Sequence, residues 1–350
     1  MTNLKTQILD ISRQNQQNDL TIWFDRMLDI FIKEGIFHDI DELIIINDKI
    51  ISNLADYRTQ TGVGTAVLGM SGGVDSALTA SLLKKAGWKV IGVTLPIHQN
   101  PEETARGVEA IESLGLHPLH VDLSNAYDDM IGHMADVDYG LQGDSKAEKI
   151  RRGNIRARLR MITLYNLAAA NGGLVASTDN YSELAAGFWT LHGDVGDLSP
   201  IQALTKSWEV PKLAKLNGVP ESIWRANPTD GLGVDNGDEA QFGFSYLELD
   251  LMLLSLADLV TDGLVDDFIK QNGGWSRRDL IQHQLGIAFN GFAVDERAEK
   301  VFNELLNRMG STWFKRVNPV NIKHPLDPSR YDRLATIDSD LFHPAVVKGV

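Results

Sequence analysis

The chain has 350 residues, 47 acidic against 33 basic, and a formal charge of −14, which argues against a general nucleic-acid-binding face because phosphate neutralisation needs a basic surface. It contains no cysteine, so disulfides, zinc–thiolate sites and thiol nucleophiles are excluded, and its apolar runs, such as residues 251–260 with Asp258 inside, are too short to span a bilayer. A composition of 43% hydrophobic and 23% charged residues suits a soluble globular protein of one large or two small domains. The N-terminus has no basic segment followed by an apolar run, so no signal peptide is expected and a cytoplasmic location is.

In chain order, residues 1–60 are expected to be helical. Ile22, Phe24, Met27, Leu28 and Phe31 recur near helical spacing, and Gly62 and Gly64 supply a stop. Residues 65–70 predict a first strand, followed by a helix closed at Gly87 and a second strand over 89–95. The next helix starts with Asn100 as N-cap, Pro101 in the first turn and Glu103 at the capping-box position. A third strand is expected over 117–123, with His117 and His120 as a polar strand edge and no metal-binding histidine set anywhere. A long basic helix then runs to Asn171-Gly172-Gly173 and leads to a fourth strand over 174–178. Strands alternating with helices predict an α/β fold, a doubly wound parallel sheet with flanking helices that binds ligands at the C-terminal strand ends.

Residues 178–207 are rich in Gly, Asp and aromatics and long for a passive loop, so they are expected to be functional. Residues 246–310 return to helix, broken at 271–276, and the proline-containing tail from Asn318 is expected to be extended. The organisation read from this is a helical N-terminal extension (1–45), an α/β core (46–250), a helical region with an insertion (251–317) and the tail (318–350).

Residues 68–78, LGMSGGVDSAL, lie between a predicted strand and a predicted helix. Gly72 and Gly73 let backbone N–H groups approach an anion, Ser71 and Ser76 add hydroxyls, and the Gly-Lys-Ser/Thr ending of a Walker loop is missing. Beside polyphosphate, Asp75 makes sense as a metal ligand. A tight turn in which Asp75 or Ser76 caps the next helix is the simpler alternative.

The string SGGVDS resembles the pyrophosphate loop of the ATP pyrophosphatases. The stretches GNIRARLRM (153–161), STDNYSELAAGFWT (177–190), GDVGDLSPIQALTK (193–206) and NPTDGLG (227–233), in that order, resemble the NAD synthetases within that class, with a weaker echo at TWFKRVNP (312–319). This resemblance implies an adenine nucleotide alpha hydrolase-like fold and the ammonia-dependent amidation of deamido-NAD. ATP adenylates the nicotinate carboxylate, pyrophosphate leaves, and ammonia displaces AMP. It further implies that Gly69, Met70, Ser71, Gly72, Gly73, Val74, Asp75 and Ser76 hold the ATP phosphates, that Asp75 and Glu183 bind Mg²⁺, and that Thr178, Lys206 and Thr229 contact ATP, with Asp75 and Lys206 the catalytic pair. Arg158, Asp197 (allowing a one-residue gap) and Lys315 are implied on the deamido-NAD side, and a homodimer is implied as the assembly.

Read alone, Arg158 fits the solvated face of a basic helix, and Phe188 and Trp189 fit either ring stacking or core packing. The chain departs from the family at Leu191, where a Lys is usual, and at Phe314, where a His precedes Lys315. These changes leave a rewired deamido-NAD pocket or a related substrate open. Competing readings are another amidotransferase of the same loop class and a nucleotide-binding module without turnover; zero cysteines and the acidic charge count against a tRNA thiolation enzyme.

Overall fold

The computed structural model describes residues 3–12, 19–229, 237–261, 286 and 291–317. Most of the expected insertion, the loop 230–233 and the tail lie outside the described residues.

Three helices open the chain: α1 (Leu4–Ser12), α2 (Ile22–Lys33) and α3 (Ile40–Thr61). In α2 the buried face is Trp23, Phe24, Met27, Leu28 and Phe31, whereas Ile22 is 90% exposed. Ile22 therefore belongs outside the apolar stripe, and Trp23 takes its place, packed edge-on to Phe292 at 5.3 Å. Asp39 and Glu42 form a reciprocal capping box at the start of α3, and left-handed Gly62 ends it as expected.

The core sheet has four parallel strands, β1 (Thr65–Gly69), β2 (Lys89–Thr94), β3 (Leu119–His120) and β4 (Leu174–Val175), in the order β3-β2-β1-β4. Two of them are shorter than their apolar runs predict. β3 is only two residues long, although Val121 and Leu123 just beyond it still donate to the carbonyls of Thr94 and Pro96. β4 ends at Val175, beyond which Ala176 forms an isolated parallel bridge to Leu198.

The connecting helices are α4 (Val74–Lys85), α5 (Pro101–Ser113), α6 (Ser124–Ala135) and α7 (Lys146–Ala170). Along β1, Ala66 and Leu68 join a core with α4 and the N-terminal helices, while Val67 joins Val93, Val175, Met161 and Leu164 beneath α7. Helices thus cover both faces, as buried parallel strands require. The expected capping box on α5 does not form. Asn100 accepts from Glu102 N at 3.0 Å, and the Glu103 carboxylate instead takes Gln99 Nε2 at 2.9 Å and Thr229 Oγ1 at 2.8 Å.

Past β4 come α8 (Tyr181–Ala186), α9 (Glu209–Leu216), α10 (Glu221–Trp224), α11 (Asp238–Phe242), α12 (Tyr246–Thr261) and α13 (Glu296–Ser311), then a 3-10 turn over Trp313–Val317. The first of these lies inside the segment expected to be irregular. α1 is tied to this half of the molecule by Arg225–Asp10 at 3.0 Å and Lys212–Gln7 at 3.0 Å. No helix among the described residues is long and apolar enough to cross a membrane.

Candidate active site

β1 and β4 are neighbours, yet the chain visits β2 and β3 between them, so a crevice opens at their C-terminal ends. A cavity of about 460 Å³ occupies it. Its wall includes residues 69–75, Thr178, Glu183, Lys206, Thr229 and Lys315, all expected in the site.

The loop after β1 is shaped for close approach. Gly72 has φ +87°, and a Cβ there would collide with the Glu103 carbonyl oxygen, so only glycine fits. Ser76 is buried and turned inward rather than lining the cavity, its hydroxyl donating to Gly73 O at 3.0 Å and lying 3.3 Å from Ser71 Oγ. Gly73 is the N-cap of α4, so unpaired N–H groups and the positive helix end meet the cavity together.

Asp75, from the first turn of α4, meets Glu183 from the first turn of α8 through one cation. Lys206 Nζ is bonded to Asp75 Oδ2 and lies 3.3 Å from Glu183 Oε1. Asn180 ties the two residues together, donating Nδ2 to Asp75 Oδ1 at 3.0 Å and accepting the backbone N–H of Glu183 on Oδ1 at 3.0 Å as the α8 cap. The Tyr246 hydroxyl, 2.9 Å from Asp238 and 3.4 Å from Glu183, closes the far side.

Burial raises Glu183 to about 8. Lys206 opposes that rise, while Asp75 and Asp238 add to it. Burial works against the Lys206 charge as well, but Asp75, Glu183 and Asp238 outweigh it and hold the ammonium protonated. Lys206 is thus the one cation that both carboxyl groups share.

Lys206 is placed by its backbone. Its N–H donates to Ser182 Oγ at 2.9 Å, Ser182 donates to Asp250, and Ser207 N donates to Asp250 Oδ2 at 2.9 Å. Glu209 takes both the N–H and the hydroxyl of Thr205, at 2.8 and 3.1 Å. At the α7 end, Lys315 Nζ donates to the carbonyls of Gly187 and Trp189 and lies 5.2 Å from the Trp189 ring centre. Asp179 and Asp194 sit in the same wall. Burial raises both carboxyls, and Asp179 Oδ2 has no hydrogen-bond partner among the described residues. Phe188 and Trp189 also line the cavity, Phe188 packing on Phe242 at 4.6 Å.

Besides Ser76, two expected residues, Arg158 and Asp197, are not in the cavity wall. Arg158 is exposed on α7 and donates Nε to Leu191 O at 3.2 Å. Asp197 accepts Tyr165 OH and Val175 N, both at 2.9 Å, and so fastens the edge of β4. Asn180, Tyr246, Asp238, Asp250, Asp179 and Asp194 were not singled out from sequence. Only Asn180 carried a local signal, as a residue three places before Glu183 in N-cap spacing.

Two carboxylates converging on one cation beside a phosphate-shaped loop fit Mg²⁺, which takes one or two carboxylates and completes its shell with substrate phosphates.

Residues 46–280 match the family model described as NAD synthase. A relative from Finegoldia magna, an NH(3)-dependent NAD(+) synthetase, is 39% identical over 209 residues, covering 59% of this chain and 83% of the relative. Among solved structures, an NMN synthetase from Francisella tularensis aligns with TM-score 0.60 at 24% identity, covering 81% of this chain and 98% of that one. An NH3-dependent NAD synthetase from Campylobacter jejuni aligns with TM-score 0.58 at 24% identity, covering 80% and 99%. These structural likenesses establish the adenine nucleotide alpha hydrolase-like fold, and the matched sequence establishes the lineage: the chain belongs to the NAD synthase family.

Proposed function

We propose that this chain is an ammonia-dependent NAD synthetase that adenylates and amidates deamido-NAD in the one cavity. The carrying observation is the Asp75–Lys206–Glu183 constellation at the end of the glycine loop. In the first step a nicotinate carboxylate oxygen attacks the α-phosphorus of ATP, the bond from that phosphorus to the β-bridging oxygen breaks, and pyrophosphate leaves. In the second, ammonia attacks the acyl carbon, a proton is lost, and AMP departs with the C–O bond electrons.

The loop N–H groups of residues 71–76 would bind the phosphates, with Thr178 and Thr229 as further ATP contacts. Asp75 and Glu183 would hold Mg²⁺, which when bound supplies charge neutralisation on the phosphate oxygens. Lys206, fixed from behind by Ser182 and Asp250, would then turn its ammonium toward the transferred phosphate, where negative charge accumulates. Asp179 has a buried carboxylate oxygen without a partner, which suits it to hold the incoming nitrogen as ammonium and take its proton. Lys315 would meet the acid end of deamido-NAD. Arg158 and Asp197, outside the cavity wall, would meet the outer half of that substrate.

A homodimer is the proposed assembly. Its support is apolar exposure around α6 and α7, where Ile162 is 65% exposed and Tyr165 and Met130 are about 40% exposed. The proposed compartment is the cytoplasm, which holds both nucleotides. The function is tested by incubating the protein with MgATP, deamido-NAD and one nitrogen source. NAD should form with ammonium and fail to form with ammonium-free glutamine, because the chain has no thiol to release ammonia. NAD formed from glutamine with matching glutamate release by this chain alone would refute the reading.

A further inference from the structure

Lys206 faces the phosphate loop from the β4 side, and a second cation faces it from the β2 side. Arg106 lies on α5, one turn after Glu103, in the cavity wall. α5 packs directly on the loop: a Cβ at Gly72 would strike the Glu103 carbonyl and come within 3.2 Å of Arg106 Cβ. The Glu103 carboxylate is already engaged by Gln99 and Thr229. Arg106 is not so engaged among the described residues. Its Nε is shut off from solvent without an acceptor, and among the described residues no carboxylate or carbonyl pairs with its guanidinium.

Other arginines near the site are matched to protein acceptors. Arg160 donates to Leu95 O at 3.0 Å and Gln99 Oε1 at 3.3 Å, and Arg308 pairs with Glu304 at 2.7 Å. A partly buried guanidinium left unmatched is costly unless an anion arrives to accept its N–H groups. Its planar fork suits two phosphate oxygens at once. With Asp179 and Lys315, both in the cavity wall, taken as the acyl end under the proposed function, the α-phosphate faces them. A cation on the α5 flank, beside Thr229, then meets the outer phosphates.

We propose that Arg106 is a phosphate-binding residue of this active site, gripping the β- and γ-phosphates of ATP and the pyrophosphate that they become. The assignment rests on the phosphate role proposed for the Ser71–Ser76 loop. Arg106 holds the leaving group from the side opposite Lys206, so that the negative charge released when the α–β bridge breaks is shared between two cations.

The test is product inhibition by pyrophosphate against ATP in the full chain, with AMP inhibition and the deamido-NAD KM as controls. Arg106→Met should raise both the pyrophosphate inhibition constant and the ATP KM about tenfold or more, and Arg106→Lys should recover part of each. Deamido-NAD KM and AMP inhibition should stay within about twofold, because neither reports on the outer phosphates. Melting curves accompany each variant, and Arg106→Gln substitutes if Arg106→Met fails to fold. A wild-type enzyme inhibited competitively by pyrophosphate, together with unchanged inhibition in Arg106→Met, overturns the Arg106 assignment alone. Equal rises in the ATP and deamido-NAD KM also overturn it. Wild-type enzyme that pyrophosphate does not inhibit overturns the loop reading, and the Arg106 assignment with it.

Discussion

Asn180 makes two bonds that different substitutions separate. Its Oδ1 caps α8 through Glu183 N, and its Nδ2 orients Asp75. Asn180→Ala removes both: about 1 kcal/mol for the cap and about 1.5–3 kcal/mol for a bond to a carboxylate, at a position with no solvent to substitute. Stability should fall by roughly 2–4 kcal/mol, a melting shift of several degrees. Asn180→Ser keeps a capping oxygen and lacks the donor that reaches Asp75. It should recover about 1 kcal/mol of that loss while turnover stays depressed about 10- to 100-fold in both variants. Denaturant midpoints and pyrophosphate release at saturating MgATP, deamido-NAD and ammonium measure the two effects. Turnover that recovers in step with stability in Asn180→Ser would refute the claim that Asn180 positions Asp75.

Gly72→Ala should cost about 1–2 kcal/mol from the left-handed backbone alone and weaken ATP more than deamido-NAD, seen as a KM split; equal effects would remove the loop from the phosphate site. Lys206→Met should abolish turnover and leave Asp75 and Glu183 facing each other without a cation, so Mg²⁺ should raise its melting temperature more than it raises that of wild type; an equal Mg²⁺ effect would contradict the shared-cation geometry. Asp250 is raised to about 6, chiefly by burial, so its folded form holds a proton more tightly than its unfolded form. The stabilisation is complete below about pH 4 and lost as pH rises through 6, on the order of 3 kcal/mol. The denaturant midpoint of wild type relative to Asp250→Asn should fall over that window, and parallel pH profiles would contradict the burial of this carboxyl.

The features legible in the sequence were those carried by local pattern. Apolar runs punctuated by Gly87 and Gly172-Gly173 marked the βα alternation, and the glycine loop announced its chemistry because strand, loop and helix are contiguous. Strand length was less legible. Residues 117–123 read as one strand, yet pairing depends on where β2 ends, which is set by a neighbour rather than by the run itself. Glu103 illustrates a local signal overridden from afar, since its capping spacing was sound but Thr229, more than a hundred residues on, competes for the carboxylate. Asp250 and Tyr246 were invisible for the same reason: each lies on an apolar helix with no motif and acquires its role only when α12 packs behind α8. Asp197 shows a contact that its motif position does not announce: its oxygens accept Val175 N of β4 and the Tyr165 hydroxyl.

The most direct test of the central claim is exchange of labelled pyrophosphate into ATP in the absence of ammonium. Adenylation at the Asp75–Lys206–Glu183 centre predicts exchange that requires Mg²⁺ and deamido-NAD, and that disappears in Asp75→Asn while the variant keeps its fold. Exchange that proceeds without deamido-NAD, or persists at the wild-type rate in Asp75→Asn, would contradict the account.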